Sequence, residues 1–314
     1  MTLAPTVAVD MPRRAVVTGA AGFIGSWLTR ILAQNGCAVQ GIGRSAMAEE
    51  DRAALGLESW SSGGLTVGAL AAAAEGAEVI YHCAGSASVP LSMREPMTDF
   101  HGNVSSTLEV LEYARRAGRL PVVLLSSAGV YGKVTDLPIG VIAPCNPVSP
   151  YGVNKQIGEM LARQYARHFG VPVIIVRLFS VYGEGLRKQL LWDASHKLHR
   201  GETSFFGTGN ETRDWIHAQD AATLIAQSWS HASDAAPTIN GAAGQGVTIR
   251  RVLETLMQSY GMSASLEFMG TARPGDPDHY IADIAEARAI GWSPAIPLET
   301  GVAKYADWFR KTVL

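Results

Sequence analysis

Tyr151 and Lys155, in the segment Tyr151-Gly152-Val153-Asn154-Lys155, are the side chains whose types and spacing point most directly to a reaction. On a helix, a separation of four residues puts both on one face. A phenol with a pKa near ~10 is a poor proton acceptor at neutral pH. An ammonium beside it favours the phenolate, and so does the positive ring of an oxidised nicotinamide. Such a phenolate takes the proton from a sugar or alcohol hydroxyl while hydride leaves for the nicotinamide, and in reverse the phenol returns that proton. Lys155 also has the reach to bind the nicotinamide ribose. Ser127 lies earlier, at the C-terminal end of the apolar run Leu120–Leu125, where its hydroxyl would bond the same substrate oxygen.

This chemistry needs a dinucleotide site, and Val16-Val17-Thr18-Gly19-Ala20-Ala21-Gly22-Phe23-Ile24-Gly25 has the pattern of one. Ala15, Val16 and Val17 read as a buried strand, and Phe23, Ile24, Trp27, Leu28, Ile31 and Leu32 follow with helical spacing. Gly19 permits the tight turn, Gly22 lets backbone approach a pyrophosphate, and Gly25 lets helix and strand pack closely. The unpaired N–H groups at the helix start, around Phe23 and Ile24, face the phosphates. Thr18 closes the strand. The second strand, Ala38–Arg44, ends with Gly43 where an NAD site places Asp or Glu on the ribose 2′-hydroxyl. Arg44 and Ser45 follow, a cation with a small hydroxyl that suits a 2′-phosphate. NADP(H) is therefore the expected cofactor, with NAD(H) the other fit. Glu78–Cys83 reads as a strand running into the small-residue turn Ala84-Gly85-Ser86, with Ala84 and Gly85 beside the cofactor and Ser86 toward the substrate.

The elements that must hold these residues alternate between strand and helix as far as Ser180, which predicts an α/β fold with a doubly wound parallel sheet. In residues 46–76 the reading places a helical stretch, a short strand near Leu65–Val67 and a helix from Ala69. Two long helices are expected over 105–118 and 151–169. Beyond Ser180 come a helix at Gln189–His199, another at Ala221–Ser230, a strand at Thr238–Gly241, a helix over 246–262, a Pro/Gly/Asp loop over 271–280 and a helix at Leu298–Lys311. The expected division is a loose leader over 1–12, a dinucleotide-binding domain over 13–180 that also receives segments near 214–243, and a smaller substrate lobe over most of 181–314. With 314 residues, 47% of them hydrophobic, the chain is long enough for this core. A formal net charge of −2 gives no footprint for nucleic acid or a membrane surface. Cys37, Cys83 and Cys145 have no metal-ligand spacing and suit a reducing compartment, so a cytoplasmic protein is expected. The eight histidines show no ligand pattern: His196 and His199 lack a third partner, and no metal is expected.

Together the motifs resemble the extended short-chain dehydrogenase/reductases, in particular the nucleotide-sugar epimerase/dehydratase group. The resemblance rests on Thr18-Gly19-x-x-Gly22-x-x-Gly25, the turn after His82, Ser127-x-x-x-Tyr131-Gly132, Tyr151-x-x-x-Lys155, Arg177-Leu178-Phe179-Ser180-Val181-Tyr182-Gly183, Thr212-Arg213-Asp214-Trp215-Ile216-His217 and Arg273-Pro274-Gly275-Asp276. It implies a Rossmann-type sheet with a C-terminal substrate lobe. It further implies Ser127, Tyr151 and Lys155 as the catalytic set, Thr18 to Gly25 and Arg44 on the cofactor, and Arg213 and Arg273 on the diphosphate of a nucleotide sugar, for which a guanidinium fork is suited. A homodimer is implied through helices 105–118 and 151–169, with Leu108, Leu111, Ile157, Leu161 and Tyr165 as candidates for its surface.

Three departures qualify that resemblance. Ala128 and Gly129 stand where 4,6-dehydratases carry an acid, which argues against elimination. Val67-Gly68-Ala69-Leu70 lacks the Asp that usually contacts adenine after the third strand. Ser180 replaces an Asn that binds substrate, with shorter reach. Lys188, with Gln189 and Trp192, is expected to extend into the sugar site. The chemistry expected is a 4-ketoreductase drawing on NADPH, because Gly43-Arg44 suits an exchanging reductant. A 4-epimerase that keeps its cofactor is the alternative, and a non-catalytic cofactor sensor a remote third.

Overall fold

The computed structural model describes residues 11–263, 265–270 and 279–313. The chain runs β1 (Arg14–Thr18), α1 (Phe23–Gln34), β2 (Ala38–Gly43), α2 (Glu49–Leu55), β3 (Leu57–Ser62), α3 (Val67–Ala73) and β4 (Val79–His82). Next come α4 (Val89–Arg94), α5 (Pro96–Phe100), a π-helical turn (His101–Ser105), α6 (Ser106–Arg116), β5 (Val122–Ser127), a 3-10 turn (Ala128–Val130), α7 (Pro150–Phe169) and β6 (Val173–Leu178). β7 (Ser180–Tyr182), α8 (Gln189–His199), β8 (Ser204–Phe205), β9 (Thr212–His217), α9 (Ala218–Ser228), β10 (Thr238–Gly241), β11 (Gly246–Thr248), α10 (Ile249–Ser259), β12 (Glu267–Phe268), α11 (Ala285–Ala289) and α12 (Leu298–Thr312) complete it.

Seven strands form one parallel sheet in the order β10-β6-β5-β4-β1-β2-β3. Runs such as Val122–Leu125 and Val173–Val176 are buried on both faces, as continuous β-branched and aliphatic strands must be when helices cover the sheet on each side. On one face Ala15, Val17 and Val39 pack against Leu28 and Leu32 of α1 and Leu224 of α9. On the other, Val16, Ile80 and Leu124 meet Leu70 of α3, Val110 and Leu111 of α6 and Ala162 of α7. A third core, with Leu191 and Leu198 of α8, Leu253 and Leu256 of α10 and Tyr305 of α12, fills a smaller layer that includes the sheet β11-β9-β7 and the pair β12-β8.

Helix α7 shows how local sequence fixes the element that matters most. Ser149 caps it by accepting a bond from the Gly152 amide, Pro150 opens it, and Gly170 ends it in the left-handed conformation at φ +66°. The third strand corrects the sequence reading: it is Leu57–Ser62, whereas Thr66 caps α3, so Leu65–Val67 is a helix entry. The true strand was hidden because it lies on the sheet edge and carries Glu58 and three serines with little apolar alternation. The expected helix over 105–118 is α6, preceded by continuous helical turns from Pro96, with a break at Glu95 separating these from α4. Of the surface proposed for a dimer, Leu108 is exposed, but Leu111 at 1% and Tyr165 at 9% exposure face inward, and Ile157 and Leu161 are half-buried. Residues 1–10 of the expected leader and most of the 271–280 loop lie outside the described residues.

Candidate active site

The glycine turn after β1 is a packed junction. Gly19 has φ +69°, and a Cβ there would stand 2.8 Å from the Ala84 amide nitrogen; a Cβ on Gly25 would stand 2.2 Å from the Gly19 carbonyl oxygen. Neither position admits a side chain, so β1, the start of α1 and the turn after β4 are pressed together. Gly22 is different: its nearest neighbour is the Gly19 carbonyl at 3.1 Å. It caps α1 with no side-chain bond and no acid in the first turn, which leaves the amides after it directed at an anion. That cradle fits a dinucleotide pyrophosphate. The Thr18 hydroxyl is engaged within the fold, paired with His82 Nδ1 at 2.8 Å and accepting from the Ala84 amide at 3.2 Å. His82 Nε2 pairs with Thr107 at 3.1 Å, and burial, helped by the charge of Lys155, lowers this imidazole to about 3.

The side chains expected to react converge where β5 and α7 meet. Ser127 ends β5, and its Oγ accepts the Gly129 amide at 3.1 Å, leaving its own proton to donate. A Cβ on Gly129 would lie 3.4 Å from Ser127 Oγ and 3.5 Å from Tyr151 Cε1, so hydroxyl and phenol flank the same glycine. Lys155 Nζ donates to the Leu125 carbonyl at 3.0 Å and would stand 3.5 Å from a Cβ on Gly85. Burial raises Tyr151 above the ordinary phenol, the Ser127 hydroxyl opposes this, and Asp99 adds to it. Burial also lowers Lys155 to about 8, with Asp99, Cys83 and Glu159 pulling the other way.

The residues expected on the substrate side are less tightly gathered. Ser86 Oγ is buried with no partner among the described residues, as a group awaiting a ligand would be. Lys188, lowered by burial, reaches the Ala87 carbonyl at 3.4 Å and so bridges the turn after β4 to the entry of α8. Ser180 is half-buried at the start of β7. Arg213 donates to the Thr212 carbonyl at 2.9 Å and lies beside Tyr280, on which its charge acts. Arg273 lies outside the described residues. The Trp192 ring, expected beside the sugar, packs against His196, Trp308 and Phe309. At the other end of the sheet, Arg44 and Ser45 are exposed just past β2. No group of three or more His, Cys, Asp or Glu able to hold a metal occurs among the described residues.

The family model of the NAD dependent epimerase/dehydratase family matches residues 15–240, which include the glycine turn, Ser127, Tyr151 and Lys155. The chain belongs to this family. It is 32% identical over 315 aligned positions to a UDP-glucose 4-epimerase of Mycolicibacterium smegmatis, covering 95% of this chain and 98% of that one. A UDP-glucose 4-epimerase of Azospirillum brasilense is 29% identical, with 95% and 92% covered. Among solved structures, the UDP-glucose 4-epimerase of Thermotoga maritima with UDP-glucose superposes with a TM-score of 0.86 at 27% identity, over 96% of this chain and 100% of that one. MoeE5 in complex with UDP-glucose and NAD gives 0.83 at 28%, with the same coverage.

This family member also has site residues that its sequence did not disclose. Asp99 is fully buried and accepts bonds from Asn103 Nδ2 at 3.1 Å and Asn154 Nδ2 at 2.8 Å. Asn103 Oδ1, with no partner among the described residues, would stand 2.6 Å from a Cβ on Gly85, which makes glycine obligatory there. Gly152 is equally constrained: its Cβ would meet the Gly129 carbonyl at 2.5 Å, so only glycine lets α7 approach the Ser127 turn. Glu159, one turn beyond Lys155, receives Arg177 Nε at 2.8 Å, Arg177 Nη2 at 2.7 Å and the Ser126 hydroxyl at 2.7 Å. Burial pushes this carboxyl up, but Arg177 and Ser126 outweigh it and hold it below the usual range. Asn154 sits inside the Tyr/Lys segment and was available as a signal. Asp99 was not, because the π-helical turn after it breaks the 3.6-residue rhythm.

Proposed function

We propose that this chain is a nucleotide-sugar 4-epimerase that oxidises and re-reduces C4 of a UDP-sugar-type substrate with Tyr151 as acid and base. The carrying observation is that Ser127, Tyr151 and Lys155 gather at the C-terminal end of β5, next to a glycine turn shaped for a dinucleotide. The 4-epimerases among its relatives and structural neighbours support this choice over the 4-ketoreductase. A nicotinamide bound there would supply the hydride acceptor and donor. Tyr151, as phenolate, takes the C4 hydroxyl proton; Ser127 donates to the same oxygen and holds it in line; Lys155 lowers the cost of the phenolate and reaches the ribose. After the keto sugar turns over, hydride would be returned to the opposite face of C4 while Tyr151 gives the proton back to the C4 oxygen. Thr18 through Gly25, with Ala84 and Gly85, would seat the dinucleotide, Arg44 and Ser45 its 2′-phosphate, and Ser86, Ser180, Lys188, Arg213 and Arg273 the nucleotide sugar.

NADP(H) is the proposed cofactor, although structural neighbours bind NAD. The 2′-phosphate is remote from the ring and leaves hydride chemistry unchanged. Gly43-Arg44 also sustains the second reading, a 4-ketoreductase that exchanges NADPH each turnover. The enzyme is expected to work in the cytoplasm as a homodimer; no helix among the described residues is long and apolar enough to cross a membrane. Purified protein should be given UDP-glucose, UDP-galactose, further nucleotide sugars and their 4-keto forms, and both product and nicotinamide absorbance followed. Epimer formed with no net change in reduced nicotinamide is the expected result. Stoichiometric NADPH loss on a keto sugar establishes the reductase instead, and tight cofactor binding without any turnover overturns both.

A further inference from the structure

We propose that Trp60 determines cofactor choice, by filling the space that an acidic side chain at position 43 needs and by fixing the corner that presents Arg44 and Ser45. The proposal deepens the preceding one and rests on it for the placement of the adenosine ribose at the end of β2.

Gly43 is the last residue of β2, the position from which a carboxylate would bond a ribose 2′-hydroxyl. The indole of Trp60 reaches over from the edge strand β3 and lies along β2. A Cβ on Gly41 would stand 2.8 Å from its Cε3, and a Cβ on Gly43 would stand 2.3 Å from Cη2 and 2.5 Å from Cζ2. The obstacle is a rigid ring rather than the tip of a flexible chain, so it does not yield by a small rotation. While the indole holds this position, no acid fits at 43. The bland explanation, that Gly43 serves the backbone, fails because φ at this residue is not in the left-handed region.

The same ring anchors the turn that leaves β2. Trp60 Nε1 donates to the Ser45 carbonyl at 3.1 Å, and the Gly63 amide donates to the Gly43 carbonyl at 2.9 Å. The corner Gly43-Arg44-Ser45 is thus tied to β3 from both ends, with the Arg44 and Ser45 side chains exposed. On the β3 side its neighbours in register are Ser61 and Ser62, paired with Ile42 and Gly43, and then Gly63 and Gly64, whose Cβ positions open into free space. Glu58, the acid of this strand, is committed to Arg14 at 2.7 Å near the strand's other end. A guanidinium, small hydroxyls and open room suit a dianionic phosphate.

The test measures NADPH and NADH dissociation constants by fluorescence titration, and thermal midpoints, for wild type, Trp60→Ala, Gly43→Asp and the double variant. Wild type is expected to bind NADPH at least about tenfold tighter than NADH. Gly43→Asp alone should melt lower and bind both weakly. Adding Trp60→Ala should restore the midpoint and reverse the preference toward NADH. Trp60→Ala alone should fold and lose more NADPH affinity than NADH affinity. Gly43→Asp that melts like wild type and takes up NADH as well as the double variant does would overturn the steric claim, as would a double variant equal to the sum of its parts. An unchanged NADPH-to-NADH ratio in Trp60→Ala overturns the anchoring claim, even if the double variant fails to fold. A wild type that prefers NADH refutes the NADP(H) reading separately, without touching the coupling of 43 to 60.

Discussion

Burial sets the proton chemistry of individual residues here, and it sets each one differently. Lys155 at about 8 is charged at neutral pH and loses its proton just above it, while burial raises Tyr151. In the proposed mechanism the phenolate needs that ammonium, so turnover should fall as pH rises through about 8. Lys155→Arg keeps a positive charge at every accessible pH; we expect turnover lowered by roughly tenfold or more but without that alkaline fall, measured as initial rate against pH. His82 carries the opposite consequence for stability. Its folded value of about 3 lies below its ordinary 6.5, so between these the unfolded chain binds a proton that the native one refuses. Stability is therefore lost as pH falls from 6.5 toward 3, with a slope approaching ~1.4 kcal/mol per pH unit from this group. Melting of His82→Gln from pH 7 down to 4 should show a shallower decline than wild type; an equal decline would acquit the histidine. The glycines and the Tyr/Lys pair were readable in the sequence because their meaning lies in local spacing. Asp99 and Trp60 were not, since their partners are Asn103, Asn154 and Gly43, reached only through the fold.

At the scale of elements, α7 is pinned to the sheet just below its reactive turn. Arg177 of β6 and Glu159 of α7 are both nearly inaccessible, and Arg177 also lies 4.8 Å from the Tyr131 ring centroid. Removing Arg177 leaves the buried Glu159 carboxylate with only the more exposed Arg163, at 3.1 Å, as a cationic partner. Arg177→Leu should cost about 3–5 kcal/mol in chemical denaturation and lower turnover more than substrate binding, because Tyr151 and Lys155 lose their registry with Ser127. Arg177→Leu combined with Glu159→Leu should recover much of the stability; if the single variant is as stable as wild type, the pin is ornamental. Apolar runs made β1, β4, β5, β6 and the long helices plain in the sequence. The edge strand β3 was misplaced because only Leu57 of its six residues is buried, so it needs no continuous apolar face there.

For the whole molecule, several of the apolar residues left in solvent lie on the helices from α4 to α7. Met93, Met97 and Met160 are 65%, 66% and 62% exposed, with Leu108, Phe100 and Val153 also uncovered. A patch of this kind on an otherwise well-packed chain is the expected contact of the proposed homodimer. Met97→Glu with Met160→Lys should give a monomer mass by light scattering; a monomeric wild type would end the dimer proposal. The helices expected to form this contact were legible from their period, but which of their residues point outward was not: Leu111 and Tyr165 turned to the sheet.

The outermost strand has a bearing on biosynthesis. β10 pairs with β6 yet follows it by some sixty residues, and its Asn240 binds the Tyr131 hydroxyl and the carbonyls of Ile139 and Asp283. A nascent chain that has emerged only as far as β6 therefore shows the ribosome exit an unguarded strand edge, and β7, α8, β8, β9 and α9 must emerge before that edge is covered. Chaperone demand during translation should peak in that interval.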